Sequence, residues 1–406
     1  MIIMRKVYVV GGKRTAIGKF LGSLYTVKLG EMGAAVVKQV LKDTHIDPAV
    51  IDEIIIGNQY SAGQGPSIAR RVQREAGIPD IIPATTMNMQ CGSGLKAAIL
   101  SYYSIQAGND VVLCGGVENM SQVPYIITNK VRKGVKMGND AVQVQDSLYC
   151  DGLIDQFYGY MMGNTAENVA KKMNITREDQ DRFALLSQKR AQAAVESGRF
   201  DDEIVPITYY DRKKKEHVFL RDESYTPGTT YEALSRLRPA FQKDGTVTAG
   251  NSSQLNDGAA ALLLASANGV KKYGLTPVAE IISSATVGID PSIMGLGPVK
   301  TVIKALDIAG MTLKDIELME LNEAFAAQAL GCIKGWCQHY SMTEQEIIEK
   351  TNVNGGAIAL GHPVAATGSR IVVSLLNEMK KRNLTYGLAT LCVGGGMGTA
   401  MVFKRC

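Results

Sequence analysis

Two cysteines and one histidine stand in glycine-rich stretches of the sequence, where their side chains could do chemistry. Cys91 precedes Gly92-Ser93-Gly94 and a helical pattern, His362 lies in a mostly uncharged turn, and Cys392 comes just before a run of glycines. A thiol at a helix N-terminus meets unpaired N–H groups, which favour the thiolate. The pattern indicates covalent catalysis, in which a thiolate attacks a carbonyl, a histidine handles the proton and backbone N–H groups hold the oxyanion.

These residues alone leave three functions open: a cysteine hydrolase, an acyltransferase, or a protein without catalysis. Free cysteines are often buried for packing alone, and a lone histidine is more often structural than catalytic. A second thiol has no task in hydrolysis, but Cys392 could act as a base that removes a proton from carbon. Asn322 is a further candidate because it ends a buried apolar run that is predicted to be a strand. In α/β proteins the ends of such strands lie at a crevice, where side chains are often exposed.

The composition narrows the class of protein. The 406 residues are 46% apolar and 20% charged, which is typical of a globular protein with a large core, and the length allows two or three domains. A net charge of +5 does not mark a nucleic-acid-binding protein, although it suits an anionic small ligand. The basic run at Arg212–Lys215 is interpreted as a solvated face.

The seven cysteines include no CxxC pair, so we expect neither a disulfide framework nor a zinc ribbon, and we expect a reducing compartment. Cys332, Cys337 and His339 share a helical run and are interpreted as helix residues rather than metal ligands. No apolar run reaches the roughly 18 residues of a membrane span. A strand pattern at Lys6–Val10 leaves no room for a signal peptide.

Strands and helices alternate along the first part of the chain, which predicts βαβ units and a mostly parallel sheet. Strand patterns at Lys6–Gly11, Ile54–Ile56 and Val111–Cys114 are separated by helical patterns, the last of them from Cys91 to about Ala107. The order of helix, turn, apolar run and asparagine that ends at Asn58 recurs before Asn322. We therefore expect two similar halves, separated by a more polar insertion over 122–250, with the site at their interface.

Five motifs then resemble those of one family, in that family's order and over essentially the full length. They are Asn88…Cys91-Gly92-Ser93-Gly94, Gly115-Gly116-Val117-Glu118-Asn119-Met120-Ser121, Asn322-Glu323-Ala324-Phe325-Ala326, Gly355 to Pro363, and Cys392-Val393-Gly394-Gly395-Gly396. The chain resembles the thiolases, and within them the short-chain enzymes. The resemblance implies an α/β fold of two pseudo-symmetric halves, layered α-β-α-β-α, with an inserted loop domain.

The resemblance also implies a reaction, the reversible condensation of two acetyl-CoA molecules to acetoacetyl-CoA and CoA. In that reaction Cys91 is the nucleophile that carries the acetyl group, and His362 takes its proton. Cys392 removes the α-proton of the second acetyl-CoA. Asn322 would position a water that, with His362, forms one oxyanion hole, and the backbone N–H groups of Cys91 and Gly394 would form the other.

Further expectations follow from the same resemblance. Ser253 matches a serine near the pantetheine arm of CoA, and Met162 and Phe325 are assigned to substrate binding. The halves are placed at 1–121 plus 251–272 and at 273–406, and the loop domain at 122–250, where it covers CoA and supports a homotetramer. No tightly bound cofactor, no metal, no nucleic acid and no membrane contact are expected, and we expect a cytoplasmic location.

The sequence departs from the family pattern at Met161, where short-chain enzymes have histidine, so strict selection of acetyl groups is not assured. Smaller departures, at Asn119, Gln254 and Ala365, do not touch the catalytic set. Three alternatives stay open: a degradative 3-ketoacyl-CoA thiolase of broader chain length, a β-ketoacyl synthase, and a non-catalytic thiolase-like protein. A β-ketoacyl synthase is expected to have a Cys-His-His catalytic set, whereas this chain has a second cysteine.

Overall fold

The computed structural model describes residues 4–135 and 142–406. Its strands are β1 (Val7–Thr15), β2 (Gly18–Lys19), β3 (Glu53–Gly57), β4 (Ala84–Met87), β5 (Val111–Asn119), β6 (Tyr125–Ile127), β7 (Val144–Asp146), β8 (Ile204–Val205), β9 (Ile207–Tyr210), β10 (Glu216–Phe219), β11 (Asn256–Ser266), β12 (Ala279–Gly288), β13 (Leu318–Leu321), β14 (Tyr386–Val393) and β15 (Met397–Arg405). Its helices are α1 (Leu29–Thr44), α2 (Ile68–Ala76), α3 (Ser93–Gln106), α4 (Met162–Lys172), α5 (Arg177–Glu196), α6 (Tyr231–Ser235), α7 (Ala267–Tyr273), α8 (Gly297–Ala309), α9 (Ala326–Tyr340), α10 (Glu344–Lys350), α11 (Ala357–Leu360) and α12 (Val364–Arg382).

The strands follow the order β13-β14-β15-β12-β1-β11-β5-β3-β4. Strands of the N-terminal half pair with one another at one end of this path, and those of the C-terminal half pair at the other end. Among the described residues, the two groups join only where Tyr8 and Val9 of β1 pair with Glu280 and Ala279 of β12. The α/β class is confirmed, but the expectation of a mostly parallel sheet is wrong. Parallel pairs, such as β3 with β5, lie toward the ends of the path, whereas the strands in its middle pair antiparallel, such as β5 with β11 and β12 with β15.

The three largest apolar clusters of the described residues lie between the layers. One packs α1 and α2 on the outer face of the N-terminal strands, and another packs α8 and α9 on the outer face of the C-terminal strands. The third lies around α3 and α12, which fill the centre between the two groups of strands. This arrangement is the expected α-β-α-β-α stack. The domain boundaries at 121, 250 and 272 stay a prediction.

The two central helices approach each other backbone to backbone. A Cβ atom on Gly94 would lie 2.7 Å from the carbonyl oxygen of Ala365, and one on Gly368 would lie 2.2 Å from the amide nitrogen of Leu95. Side chains at these positions would force the helices apart, since real Cβ contacts are not this short. The glycines therefore bring the N-terminal ends of α3 and α12, and the turns that precede them, into direct contact.

The inserted region contains α4, α5 and α6 and two small hairpins, β6–β7 and β9–β10. It is tied to the core by buried charges, because Arg14 of β1 pairs with Glu203 at 2.6 Å and with Asp222 at 2.7 Å. None of the helices in the described ranges is long and apolar enough to cross a membrane.

Candidate active site

Asn322 and Cys392 reach the same edge of the sheet because they stand at the ends of two neighbouring parallel strands. β13 and β14 pair in register from Leu318 with Gly387 to Leu321 with Thr390. The N–H of Asn322 then donates to the carbonyl of Thr390 at 3.0 Å, and Cys392 lies two residues further along β14. Both side chains are fully buried.

Cys91 lies in a single 3-10 turn, Gln90–Gly92, and α3 begins only at Ser93. The expected helix start at Cys91 was therefore two residues early. The Ser93 hydroxyl holds the turn, since it donates to the carbonyl of Gln90 at 2.7 Å and accepts the N–H of Met89 at 2.9 Å. A Cβ on Gly92 would lie 2.8 Å from the Val393 side chain, so the turn rests against the end of β14.

His362 is anchored through its backbone by Asn256, the first residue of β11. The N–H of His362 donates to Asn256 Oδ1 at 2.9 Å. Gly361 has φ +103, and a Cβ there would lie 2.4 Å from the Asn256 side chain, so only glycine fits this position. The short strand-like pairing of His362 with Leu255 holds the same segment.

The hydrogen bonds of the His362 ring define its tautomer. Nδ1 lies 2.7 Å from the hydroxyl oxygen of Thr367, and that hydroxyl donates its only proton to the carbonyl of Pro363 at 3.0 Å. This arrangement favours the tautomer that carries its proton on Nδ1, which donates to Thr367. Nε2 is left with its lone pair, 3.5 Å from Asn322 Nδ2, and can accept a proton.

One cavity of about 260 Å³ joins the candidate residues. Its lining includes six residues singled out from the sequence, namely Cys91, Met162, Ser253, Phe325, His362 and Gly394. Cys392 and Asn322 do not line this cavity. Asn322 contacts His362 at its Nε2 atom, and Cys392 is close enough to Cys91 that Cys91 raises its pKa.

Burial raises the pKa of the Cys91 thiol to about 11, although the N–H groups of Gly394 and of Cys91 itself act to lower it. The expectation that the turn favours a thiolate is wrong for the resting protein, because loss of hydration outweighs the backbone N–H groups. The same two N–H groups are the ones assigned to an oxyanion hole. They lie at the sulfur, next to the atom that a thioester carbonyl would approach.

Burial, together with the positive charge of Arg370, lowers the pKa of His362 to about 3. The imidazole is therefore neutral at physiological pH and available as a base. Burial also raises the pKa of Cys392 well above its ordinary value of 9.0, and the nearby Cys91 acts in the same direction. A thiol that basic cannot rest as a thiolate, so any proton abstraction by Cys392 depends on stabilisation of the carbanion that it forms.

Several residues around the cavity were not predicted from the sequence. Gln59 and Tyr60 follow β3 after one residue, Asn58, and their place after a buried apolar strand was a usable signal. Phe241 packs edge-on against Phe325, with ring centroids 6.1 Å apart, and no local signal marked it. Within the described residues, no group of three or more His, Cys, Asp or Glu side chains could hold a metal ion.

Family models for the N-terminal and C-terminal domains of thiolase match residues 7–268 and 275–405. The two matches cover nearly the whole chain, and the short gap between them contains most of α7. The chain belongs to the thiolase family.

Relatives of known name agree with this family and span the full chain. Acetyl-CoA acetyltransferase of Pseudomonas aeruginosa is 49% identical over 405 residues, which are 99% of this chain and 100% of the relative. The enzyme of the same name from Escherichia coli is 48% identical over 405 residues, again 99% and 100%.

Solved structures give the same result. Acetyl-CoA acetyltransferase of Bacillus anthracis superposes with a TM-score of 0.93 at 40% identity, over 100% of both chains. Human mitochondrial 3-ketoacyl-CoA thiolase superposes with a TM-score of 0.92 at 42% identity, over 99% of both chains.

The tautomer of His362 gives a testable prediction. In Thr367→Val the Nδ1–H of His362 loses its acceptor, while the side-chain volume is kept. An unpaired buried donor costs about 1–3 kcal/mol, so we expect kcat for acetyl transfer to fall roughly ten- to hundredfold. Thr301→Val is the matched control, because the Thr301 hydroxyl also donates to the carbonyl four residues earlier in a buried first turn, at 2.8 Å. Steady-state kinetics on both variants measure the effect, and wild-type kcat in Thr367→Val would contradict it.

Proposed function

We propose that this protein is a thiolase that condenses two acetyl-CoA molecules to acetoacetyl-CoA and CoA, and that runs the reverse thiolysis. The observation that supports it most is that Cys91, His362 and Gly394 line one largely apolar cavity, with the N–H of Gly394 directed at the Cys91 thiol. The names of the full-length relatives point to the same substrates.

In the first half of the reaction, the Cys91 sulfur attacks the carbonyl carbon of acetyl-CoA while His362 Nε2 takes the thiol proton. The N–H groups of Cys91 and Gly394 stabilise the oxyanion, and loss of one such donor typically costs about 2.7–4 kcal/mol of barrier. The C–S bond to CoA then breaks, the leaving thiolate takes the proton back from His362, and the acetyl group stays on Cys91. This order implies ping-pong kinetics.

In the second half, the Cys392 thiol passes its proton to His362 Nε2, and the Cys392 thiolate removes a proton from the methyl carbon of a second acetyl-CoA. The enolate oxygen is held by the N–H that Nε2 now carries and by a water positioned by Asn322, whose Oδ1 is buried and has no partner among the described residues. The carbanion attacks the carbonyl of acetyl-Cys91, a carbon–carbon bond forms, and the Cys91 sulfur leaves and takes the proton from His362. Because the pKa of Cys392 is raised, formation of the carbanion depends mainly on its stabilisation by this oxyanion hole.

Substrate binding falls to residues around the same cavity. Ser253 stands near the pantetheine arm, where its N–H already donates to the carbonyl of Ala324 at 2.9 Å and holds the turn against the Asn322 loop. Met162 and Phe325 form part of the acyl wall. The CoA thioesters are substrates, and the chemistry needs no tightly bound cofactor, metal or nucleic acid.

We also propose a homotetramer, a dimer of dimers, in the cytoplasm and away from membranes. The β6–β7 hairpin supports this assembly, because its large apolar side chains face outward: Tyr125 is 68% exposed, Ile127 55% and Val144 59%. An apolar hairpin of this kind is expected to pair with another subunit.

Trapping the intermediate tests the division of labour between the two thiols. With radiolabelled acetyl-CoA and an acid quench, wild type and Cys392→Ser should carry label on the Cys91 peptide, and Cys91→Ser should carry none. Cys392→Ser should nevertheless fail to form acetoacetyl-CoA, because it cannot remove the α-proton. Absence of label at Cys91 in wild type that still binds CoA would contradict the proposed enzyme.

A second candidate is a degradative thiolase of broader chain length. It is favoured by Met161, which lines the cavity with an apolar, flexible side chain in place of the usual histidine, and by the likeness to human 3-ketoacyl-CoA thiolase.

Turnover across chain lengths decides between the two candidates. For the proposed short-chain enzyme, kcat/KM for thiolysis should be higher for acetoacetyl-CoA than for 3-ketohexanoyl-CoA. Met161→His should widen this difference by shrinking and polarising the wall, whereas the control Met161→Leu should keep it. A higher kcat/KM for 3-ketohexanoyl-CoA in wild type would establish the degradative alternative instead.

A further inference from the structure

Glu118 is a fully buried carboxyl group that the proposed reaction leaves without a task. It lies next to the last residue of β5, in the segment that follows Gly115-Gly116. A buried carboxylate is costly unless hydrogen bonds replace its water. What donates to Glu118 therefore indicates why the fold retains it.

Four N–H groups donate to this carboxylate, and they come from both halves of the molecule. Oε1 accepts from the side-chain amide of Asn58 at 3.0 Å and from the N–H of Tyr60 at 3.2 Å. Oε2 accepts from the N–H of Gln59 at 3.0 Å and from the N–H of Ala365 at 3.1 Å. One side chain thus joins the loop after β3 to the first turn of α12.

Both segments that Glu118 joins contribute to the candidate active site. Gln59 and Tyr60 line the cavity beside Cys91. Ala365 stands three residues after His362, and its N–H fixes the start of α12 behind that histidine. The same loop also reaches the inserted region, since Gln59 Nε2 donates to the carbonyl of Asp151 at 2.7 Å and the Tyr60 hydroxyl donates to that of Leu148 at 3.1 Å.

The charge of Glu118 does not help the nucleophile. The carboxylate raises the pKa of the Cys91 thiol, so it opposes thiolate formation. The other titratable groups that face Glu118 are Tyr60 and Asp257, and Asp257 adds to the burial that raises the pKa of Glu118 to about 7. A group that works against the thiolate and is still held by four donors is best explained by the geometry that it imposes.

We propose that Glu118 is a positioning residue, which sets the distance between the Cys91 side of the cavity and the His362 turn by binding backbone N–H groups of both. The inference rests on the proposed acyl transfer and adds to it a group that never touches the substrate. Misplacing reacting groups by about 1 Å can cost roughly a hundredfold in rate.

Two substitutions separate the geometry from the charge. Glu118→Gln keeps the size but turns an NH₂ group toward the N–H groups of Gln59 and Ala365, so kcat should fall about ten- to hundredfold. The pH midpoint of Cys91 alkylation by iodoacetamide, followed on the Cys91 peptide by mass spectrometry, should move to lower pH because a neighbouring anion is gone. Glu118→Asp keeps the charge but shortens the reach, so kcat should fall while the midpoint stays.

Glu167→Gln is the matched control, because the Glu167 carboxylate is also buried and accepts the N–H groups of Thr246 and Val247, both at 2.8 Å, away from the two segments that Glu118 joins. It should lower the melting temperature but leave kcat and the alkylation midpoint at wild-type values. Wild-type kcat in Glu118→Gln, an unchanged midpoint in that variant, wild-type kcat in Glu118→Asp, or an equal loss of kcat in Glu167→Gln would each overturn the inference. If wild type itself transferred no acetyl group, the proposed function would fail instead.

Discussion

The backbone contact between the two central helices is the constraint on which the rest of the site depends. Gly94 and Gly368 leave no room for side chains between α3 and α12, and Gly116 of β5 meets the carbonyl of Ala365 in the same way, with 2.0 Å to the Cβ that it lacks. The turns before the two helices carry Cys91 and His362. The two residues are far apart in sequence. They share one cavity because no side chains separate the two helices at their contact.

This constraint also sets the electrostatics of the site. Close packing removes water, so Cys91, His362 and Cys392 all favour their uncharged forms. Negative charge then develops only during the reaction, at positions where fixed N–H groups can stabilise the oxyanion. A site of this kind relies on preorganised dipoles rather than on a resting thiolate. Neutral His362, oriented by Thr367, suits a proton transfer that must run in both directions.

The sequence predicted the fold and the residues of the site better than it predicted their chemistry. Alternation of strands and helices and the repeat ending at Asn58 and Asn322 follow from local periodicity, and both appear in the structure. The state of the Cys91 thiol could not be read locally, because burial by distant segments reverses the effect of the turn. Tertiary packing, which no spacing in the sequence encodes, brings further residues to the site: Phe241, Thr367 and the four partners of Glu118. The catalytic roles themselves stay predictions.

The central claim is that one thiol carries the acetyl group while the other removes a proton from carbon. Exchange of the methyl protons of acetyl-CoA in D₂O, followed by mass spectrometry without any net condensation, tests it most directly. Exchange should persist in Cys91→Ser, where Cys392 and the oxyanion hole of His362 and Asn322 are intact, and should vanish in Cys392→Ser. Exchange that is lost in Cys91→Ser and kept in Cys392→Ser would contradict the account.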